Sequence, residues 1–256
     1  MKILVAIKQV PGRDSRLVVD ASSRWIDESD LGYEVNEPDA YALEEALQLK
    51  EKHGGEVVAL CAGPERISST IREALAKGAD RAIQIEEENI AAWDTLSVAR
   101  LLAKAAQSEQ PDLILTGLQS DDLGLGQTGV VMAELMGLPH ATLVMSVEVE
   151  GGRLRVKREL EGGWFQHVSM PLPALLTIQS GISKLRYATL MGIKRAKNKE
   201  VRKLTAAELG IAATPGVALR RIYQPQSTKQ TQMLTGTVQE QVAQLVEKLK
   251  HVVRAI

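Results

Sequence analysis

Cysteine is almost absent: Cys61 stands alone among 256 residues, so no internal disulfide can form. No Cys/His cluster carries metal-ligand spacing, and the four histidines (His53, His140, His167, His251) are scattered along the chain. A lone histidine is more often a surface or satisfied core residue than a catalyst, and a cysteine in an apolar strand reads as a small buried hydrophobe. Aromatic residues are also scarce. Three Trp, four Tyr and one Phe leave few rings for a base-stacking platform, which argues against single-strand nucleic-acid binding. Net charge is nearly nil, with 31 Lys plus Arg against 32 Asp plus Glu, so no bulk field draws the chain to nucleic acid or anionic membrane. No apolar run approaches membrane-spanning length, and no membrane insertion is expected. Met1-Lys2 leads straight into a strand pattern without a targeting segment, so the expected setting is the cytoplasm of a bacterial-type cell.

What is present falls into two rhythms. Up to about Met136, short runs dominated by Val, Ile and Leu (2–7, 56–61, 81–85 and 112–116) alternate with amphipathic stretches. Continuous apolar runs suit parallel strands covered on both faces. Asn36 is placed to cap a helix over 37–52, with Gly54-Gly55 after its stop; a second helix over 65–77 ends at Gly78; Asp94 is placed to cap a third over 95–107. A fourth helix begins near Gln127, after a long loop rich in Gly and Asp. This βα order predicts a doubly wound, mostly parallel α/β sheet. After Leu138-Pro139 the pattern alternates more clearly. Runs over 142–149 and 153–160 are joined by Gly151-Gly152, a hairpin signal; Gly162-Gly163 precedes 164–170, and 174–179 follows. These read as antiparallel strands extending the same sheet. Thr205 to Glu208 has capping-box spacing. Residues 212–236 show no convincing period and predict an extended arm, followed by an amphipathic helix over about 238–253. The expected organisation is a nucleotide-binding α/β domain over 1–211 and a C-terminal arm and helix over 212–256.

In a doubly wound sheet, ligands bind beyond the carboxyl ends of the strands where strand order reverses. Those ends hold Ala6 to Val10, Asn36 to Asp39, Ala62 to Pro64, and the loop from Gly117 to Gly129. Glycines let a backbone approach a ligand, and a new helix offers unpaired N–H groups to an anion. Gln127 and Thr128 add an amide and a hydroxyl donor; Asp121 and Asp122 suit a ribose or hold the loop. The plainer alternative is a solvent-facing turn. No G-x-G-x-x-G follows the first strand, and Gly124 to Gly129 lacks the lysine of a Walker A loop. A basic stretch over 184–203 is ordinarily a solvated face, but interleaved Leu185, Tyr187, Leu190, Met191 and Ile193 favour a binding segment.

Taken together, the stretches Lys2 to Val10, Asn36 to Lys50, Gly78 to Arg81, Gly117 to Gly129, Val156 to Glu159 with Gly162-Gly163, and Arg186 to Leu190 with Lys194 to Lys197 resemble the β subunit of electron-transfer flavoproteins. The resemblance covers nearly the whole chain, in order. It implies a heterodimer whose α subunit holds most of a redox-active FAD while the β subunit buries a structural AMP. It further implies electrons passed from acyl-CoA or other flavin dehydrogenases to a quinone oxidoreductase or another acceptor, without catalytic turnover by this chain itself. Carried over residue by residue, the AMP pocket falls on Ala6, Asn36, Asp39, Ala62, Gly117, Gln119, Asp121, Asp122, Gly126, Gln127 and Thr128. The partner-docking loop falls on 187–197, with Tyr187, Leu190, Met191, Lys194, Arg195 and Lys197 and with Leu190 as its anchor. Glu159 and Arg13 match positions near the mobile flavin domain.

The sequence departs from the family in Asn36-Glu37-Pro38-Asp39, in the loop centre Asp121-Asp122-Leu123-Gly124, and in Arg13, where some members carry an aromatic. A bifurcating subset of the family places a second FAD where others place AMP; Gln127-Thr128 resembles the AMP-type loop. Two rivals share this kind of sheet. A universal-stress-type ATP-binding protein would show a Gly-rich phosphate loop ending in Ser or Thr. An ATP-pyrophosphatase would need a Ser/Gly-rich loop after the first strand, where this chain has Gln9 to Ser15.

Overall fold

Odd and even residues of the central strands face opposite ways, and each set has its own helices. The computed structural model describes residues 1–226 and 231–255. The central strands are β1 (Lys2–Ala6), β4 (Glu56–Gly63), β5 (Arg81–Glu86), β6 (Leu113–Gly117) and β10 (Ala174–Ile178). Ile3, Val5, Val57, Ala59, Leu113, Leu115 and Leu176 pack with α1 (Glu37–His53) and α2 (Ser68–Lys77). Leu4, Val58, Leu60, Ile83, Ile85, Ile114 and Leu175 pack with α3 (Thr95–Glu109) and α4 (Thr128–Met136). Burial on both faces is why these strands read as continuous Val/Ile/Leu runs. The doubly wound, mostly parallel sheet expected from the sequence is thus the one observed.

The remaining strands are β2 (Gln9–Pro11), β3 (Tyr33–Val35), β7 (His140–Glu150), β8 (Arg153–Glu159), β9 (Phe165–Pro171) and β11 (Val201–Thr205). Among the described residues the main sheet has nine strands in the order β11-β5-β4-β1-β6-β10-β7-β8-β9. β1, β4 and β5 step one way, and the chain then crosses to β6 on the other flank of β1, so order reverses between β1 and β6. β8 pairs antiparallel with both β7 and β9, as expected.

β10 corrects one expectation. Rather than joining the antiparallel extension, it runs parallel to both β6 and β7 and lies between them. All five of its residues are buried, and a strand apolar on both faces is stable only where both faces are covered. β7 manages the change of partners through an irregularity in its pairing with β10, next to Leu143, whose φ of +58° is left-handed.

Three further elements were not visible in the sequence. β2 and β3 form a small antiparallel ribbon at the end of β1. β11, inside the basic stretch, adds an edge strand parallel to β5; its Arg202 and Lys203 are the kind of charge that keeps an edge from pairing further. Residues 187–197 are not wholly a loop, because α5 (Leu190–Ala196) lies within them. Thr205 and Glu208 do form reciprocal capping-box bonds, but around a turn rather than a helix.

The chain divides into two compact units, Met1–Arg221 and Ile222–Ile256. Within the second, α6 (Val238–Lys248) opens on a capping box between Thr237 and Glu240. Val238, Val242, Leu245 and Val246 recur at helical spacing and are all exposed. Residues 227–230 of the expected arm, and residue 256 beyond the expected helix, lie outside the described residues.

Cys61, in β4, is fully buried, and burial pushes its thiol up to about 12. Only the thiolate attacks electrophiles. A thiol reagent at pH 8 should therefore leave the folded chain unmodified and titrate one thiol after denaturation; rapid modification of the native protein would show that β4 is not where it is placed.

Candidate functional site

The carboxyl ends of β1 and β6 meet at the reversal point, and Asp39 joins them. It lies in the first turn of α1, 6% exposed. Its Oδ2 accepts the Lys8 N–H at 2.8 Å and its Oδ1 the Gly117 N–H at 2.8 Å. Burial pushes this carboxyl up to about 7, although both backbone donors and Lys8 act in the opposite direction.

Asn36 does not cap α1 with its own side chain. Its amide donates to the Gln119 carbonyl at 2.9 Å and accepts the Asp121 N–H at 2.9 Å, so it staples the long loop to the start of α1. The helix is served from the loop instead: Asp121 Oδ2 accepts the Glu37 N–H at 3.3 Å, a favourable place for a carboxylate. Lys8, inside the expected strand end Ala6 to Val10 but with no role of its own assigned there, reaches across with Nζ 2.6 Å from both Asp122 oxygens and 3.3 Å from Ser120 Oγ. Burial pushes Asp122 up, but the Lys8 ammonium outweighs it and holds the carboxyl below the usual range. The signal for Lys8 was positional: it lies two residues past the end of β1, where a doubly wound sheet places its ligand contacts.

The glycines sort into two kinds. A Cβ on Gly117 would come 2.7 Å from the Asp39 nitrogen and 2.7 Å from Pro38 Cβ, and one on Gly129 would come 2.6 Å from Thr116 Oγ1 and 2.8 Å from Thr177 Cγ2. These two let α1 and α4 close onto the sheet and do not face open space. Gly124 and Gly126 have φ near +62° and +64° with only loose contacts, so they turn the loop and leave room beside it.

Gln127 gives no side-chain cap to α4, which leaves the first N–H groups of that helix without an internal partner. Beside it, Thr177 of β10 is 1% exposed and its hydroxyl has no hydrogen-bond partner among the described residues. A buried hydroxyl in that state invites a ligand or an ordered water. Among the expected pocket residues, Asn36, Asp39, Gly117, Gln119, Asp121 and Asp122 therefore belong to one bonded cluster, with Gly126 packed beside Gln119 and Ala6 at the end of β1 opposite Thr116. Thr128 opens α4, and Ala62 is the last residue but one of β4, on the other side of β1.

Of the other expected positions, Arg13 borders this cluster and the rest lie elsewhere. Arg13 is held by an ion pair with Glu37. Glu159 ends β8 and accepts from Gln179 at 3.3 Å. Tyr187 is 91% and Leu190 81% exposed, which excludes a core role for that leucine. Thr189 caps α5 by accepting the Gly192 N–H at 3.0 Å. Within the basic stretch, Arg186 pairs with Glu44 and Glu51, Lys203 with Glu86, and Arg202 with Glu109. Lys194, Arg195 and Lys197 make no ion pair among the described residues.

Residues 24–209 match the electron transfer flavoprotein domain family. The chain belongs to that family. The electron transfer flavoprotein subunit beta of Methylophilus methylotrophus is 37% identical over 257 residues, covering 96% of this chain and 97% of that protein. The subunit beta of Bradyrhizobium diazoefficiens is 37% identical over 254 residues, with 98% of each chain covered. The human subunit beta is 35% identical over 257 residues, covering 99% of this chain and 98% of that one. As a β-type member of the flavoprotein family the chain is an electron-transfer subunit, and a β subunit implies an α-subunit partner. No helix among the described residues is long and apolar enough to cross a membrane.

Proposed function

We propose that this chain is the nucleotide-holding, donor-docking half of a heterodimeric electron carrier. AMP occupies the crevice between the ends of β1 and β6, with its phosphate at the start of α4. FAD is held mainly by the α subunit. Electrons arrive from acyl-CoA or other flavin dehydrogenases, docked on residues 187–197, and leave to a quinone oxidoreductase or other acceptor; the chain itself catalyses no turnover. Glu159 and Arg13 are proposed to face the flavin domain, and residues 222–256, with the exposed apolar stripe of α6, to pack on the α subunit.

The observation that carries the nucleotide reading is the pairing of an uncapped α4 N-terminus with the orphaned, buried Thr177 hydroxyl at the reversal point. Helix N–H groups and a hydroxyl are what a phosphate needs, and Gly124 and Gly126 leave room for the rest. The test is to co-express the chain with its α subunit, denature the purified heterodimer and quantify the released nucleotides. One AMP and one FAD are expected. Two FAD would identify the bifurcating type instead, and FAD alone would overturn the crevice as a nucleotide site. Thr128→Ala should lower AMP retention roughly 2- to 30-fold, as loss of one hydroxyl contact to an anion does. In the same preparation, a chain ending at Arg221 should fold but fail to retain the α subunit on a sizing column.

A further inference from the structure

The exposed apolar residues of the docking segment sit on a short helix that has almost no core of its own. α5 buries only Ala196, so something else must hold Tyr187 and Leu190 in place. Three attachments do so. Immediately before Tyr187, the Arg186 guanidinium forks onto Glu44 of α1, with Nε to Oε2 at 2.8 Å and NH2 to Oε1 at 3.0 Å. Its NH1 reaches Glu51 Oε1, about two turns further along α1, at 2.7 Å, and its own backbone N–H donates to Glu44 at 3.2 Å. Within α5, Gly192 lies against the Ala76 carbonyl of α2 so closely that no Cβ fits between them. Just after α5, the Lys199 ammonium donates to the Leu75 and Ala79 carbonyls at the end of α2, the first at 2.9 Å.

We infer that Arg186 is a positioning residue, with Gly192 and Lys199 as its second and third fixings, that presents Tyr187 and Leu190 to the electron donor in a set geometry. The inference rests on the docking role proposed for residues 187–197. Arg186 cannot itself be the docking cation, because its fork is occupied by Glu44 and Glu51. Glu44 is nearly buried, and although burial pushes its carboxyl up, the guanidinium outweighs this and holds it below the usual range. Only a planar, five-donor group spans both carboxylates and keeps the direction of the chain. A segment already ordered in its bound shape loses less freedom on binding, so affinity is gained without any new contact to the partner.

The test uses the heterodimer with its α subunit, reduced in steady state by an acyl-CoA dehydrogenase. Arg186→Lys keeps the charge and loses the fork; it should raise the KM for the heterodimer about 5- to 50-fold with kcat within about twofold. Gly192→Ala changes no charge and should move KM the same way by displacing α5 from α2. Glu51→Gln alters an exposed carboxylate and should raise KM severalfold with melting temperature unchanged, which keeps the test open if the Arg186 variant folds poorly. Leu190→Ala separates the two levels of the proposal. If it raises KM while the Glu51 and Gly192 variants do not, the docking reading stands and the positioning role is overturned. If Leu190→Ala leaves KM unaltered, the docking role falls and the positioning role with it. A parallel loss of kcat and flavin content in the Arg186 variant, without a KM change in the other two, marks a merely structural clamp and also overturns the inference.

Discussion

Asp39→Ala should destabilise the first compact unit by about 1–4 kcal/mol at pH 5, the sum for two part-buried backbone donors each left without an acceptor. Those donors are the Lys8 and Gly117 N–H groups, just past the last β1–β6 pair, Ala6 with Thr116. The strands have no further ladder there, and Asp39 takes its place. Removing it also unties Gly117, where the long loop begins, so retained nucleotide should fall with stability. The loss should be smaller at pH 8 than at pH 5. Burial places the folded carboxyl at about 7, above its value of about 3.9 in an unfolded chain. The linked stability is therefore fully present below about pH 4 and is lost as pH rises through about 7, where wild type bears a buried charge that the alanine variant lacks. Urea denaturation of both proteins at the two pH values measures this; a deficit below about 1 kcal/mol at pH 5 would show that Asp39 does not hold the strand ends together.

Glu45→Gln should have the opposite sign. Glu45 is 8% exposed on α1 and has no hydrogen bond or ion pair among the described residues. Burial, with the neighbouring Glu44 charge adding to it, pushes its carboxyl up to about 7. This too is a raised acid, so its linked stability is complete below about pH 4 and lost as pH rises through about 7. At pH 8 the native chain carries an unpaired, buried carboxylate; glutamine keeps the shape and removes the charge. A gain of about 1–3 kcal/mol is expected at pH 8, or roughly 2–12 °C in melting temperature for a domain of this size, shrinking towards zero at pH 4. Thermal melts across that range decide it, since an equal gain at both ends would mean the effect is packing and not charge.

Much of the architecture was legible from local signals. The strands over 2–7, 56–61, 81–85 and 112–116 matched because burial on both faces demands uninterrupted apolar residues, and that demand is written residue by residue. The Asp94 cap held for a similarly local reason, its Oδ1 accepting the Ser97 N–H at 2.9 Å. Asn36 misled because a cap and a loop staple need the same side chain; which backbone groups lie within reach depends on a loop more than eighty residues away. The short β11 and α5 were hidden in a basic stretch because their stability comes from neighbours, β5 for one and α2 for the other, and not from a period of their own.

From the residues alone came the parallel α/β core and the resemblance that family membership bore out. Each follows from patterns within a few turns or strands, where side-chain chemistry dictates local structure. The closed fold alone put β10 between β6 and β7, packed Gly117 and Gly129 where no Cβ fits, and brought Lys8 and Thr177 beside the ends of β1 and β6. It also decided that Arg186 is consumed by Glu44 and Glu51 while Leu190 stands in solvent. These outcomes depend on which distant carboxylates, carbonyls and strands arrive at a residue once the chain has closed, and such pairings leave no mark on the residues nearest in sequence.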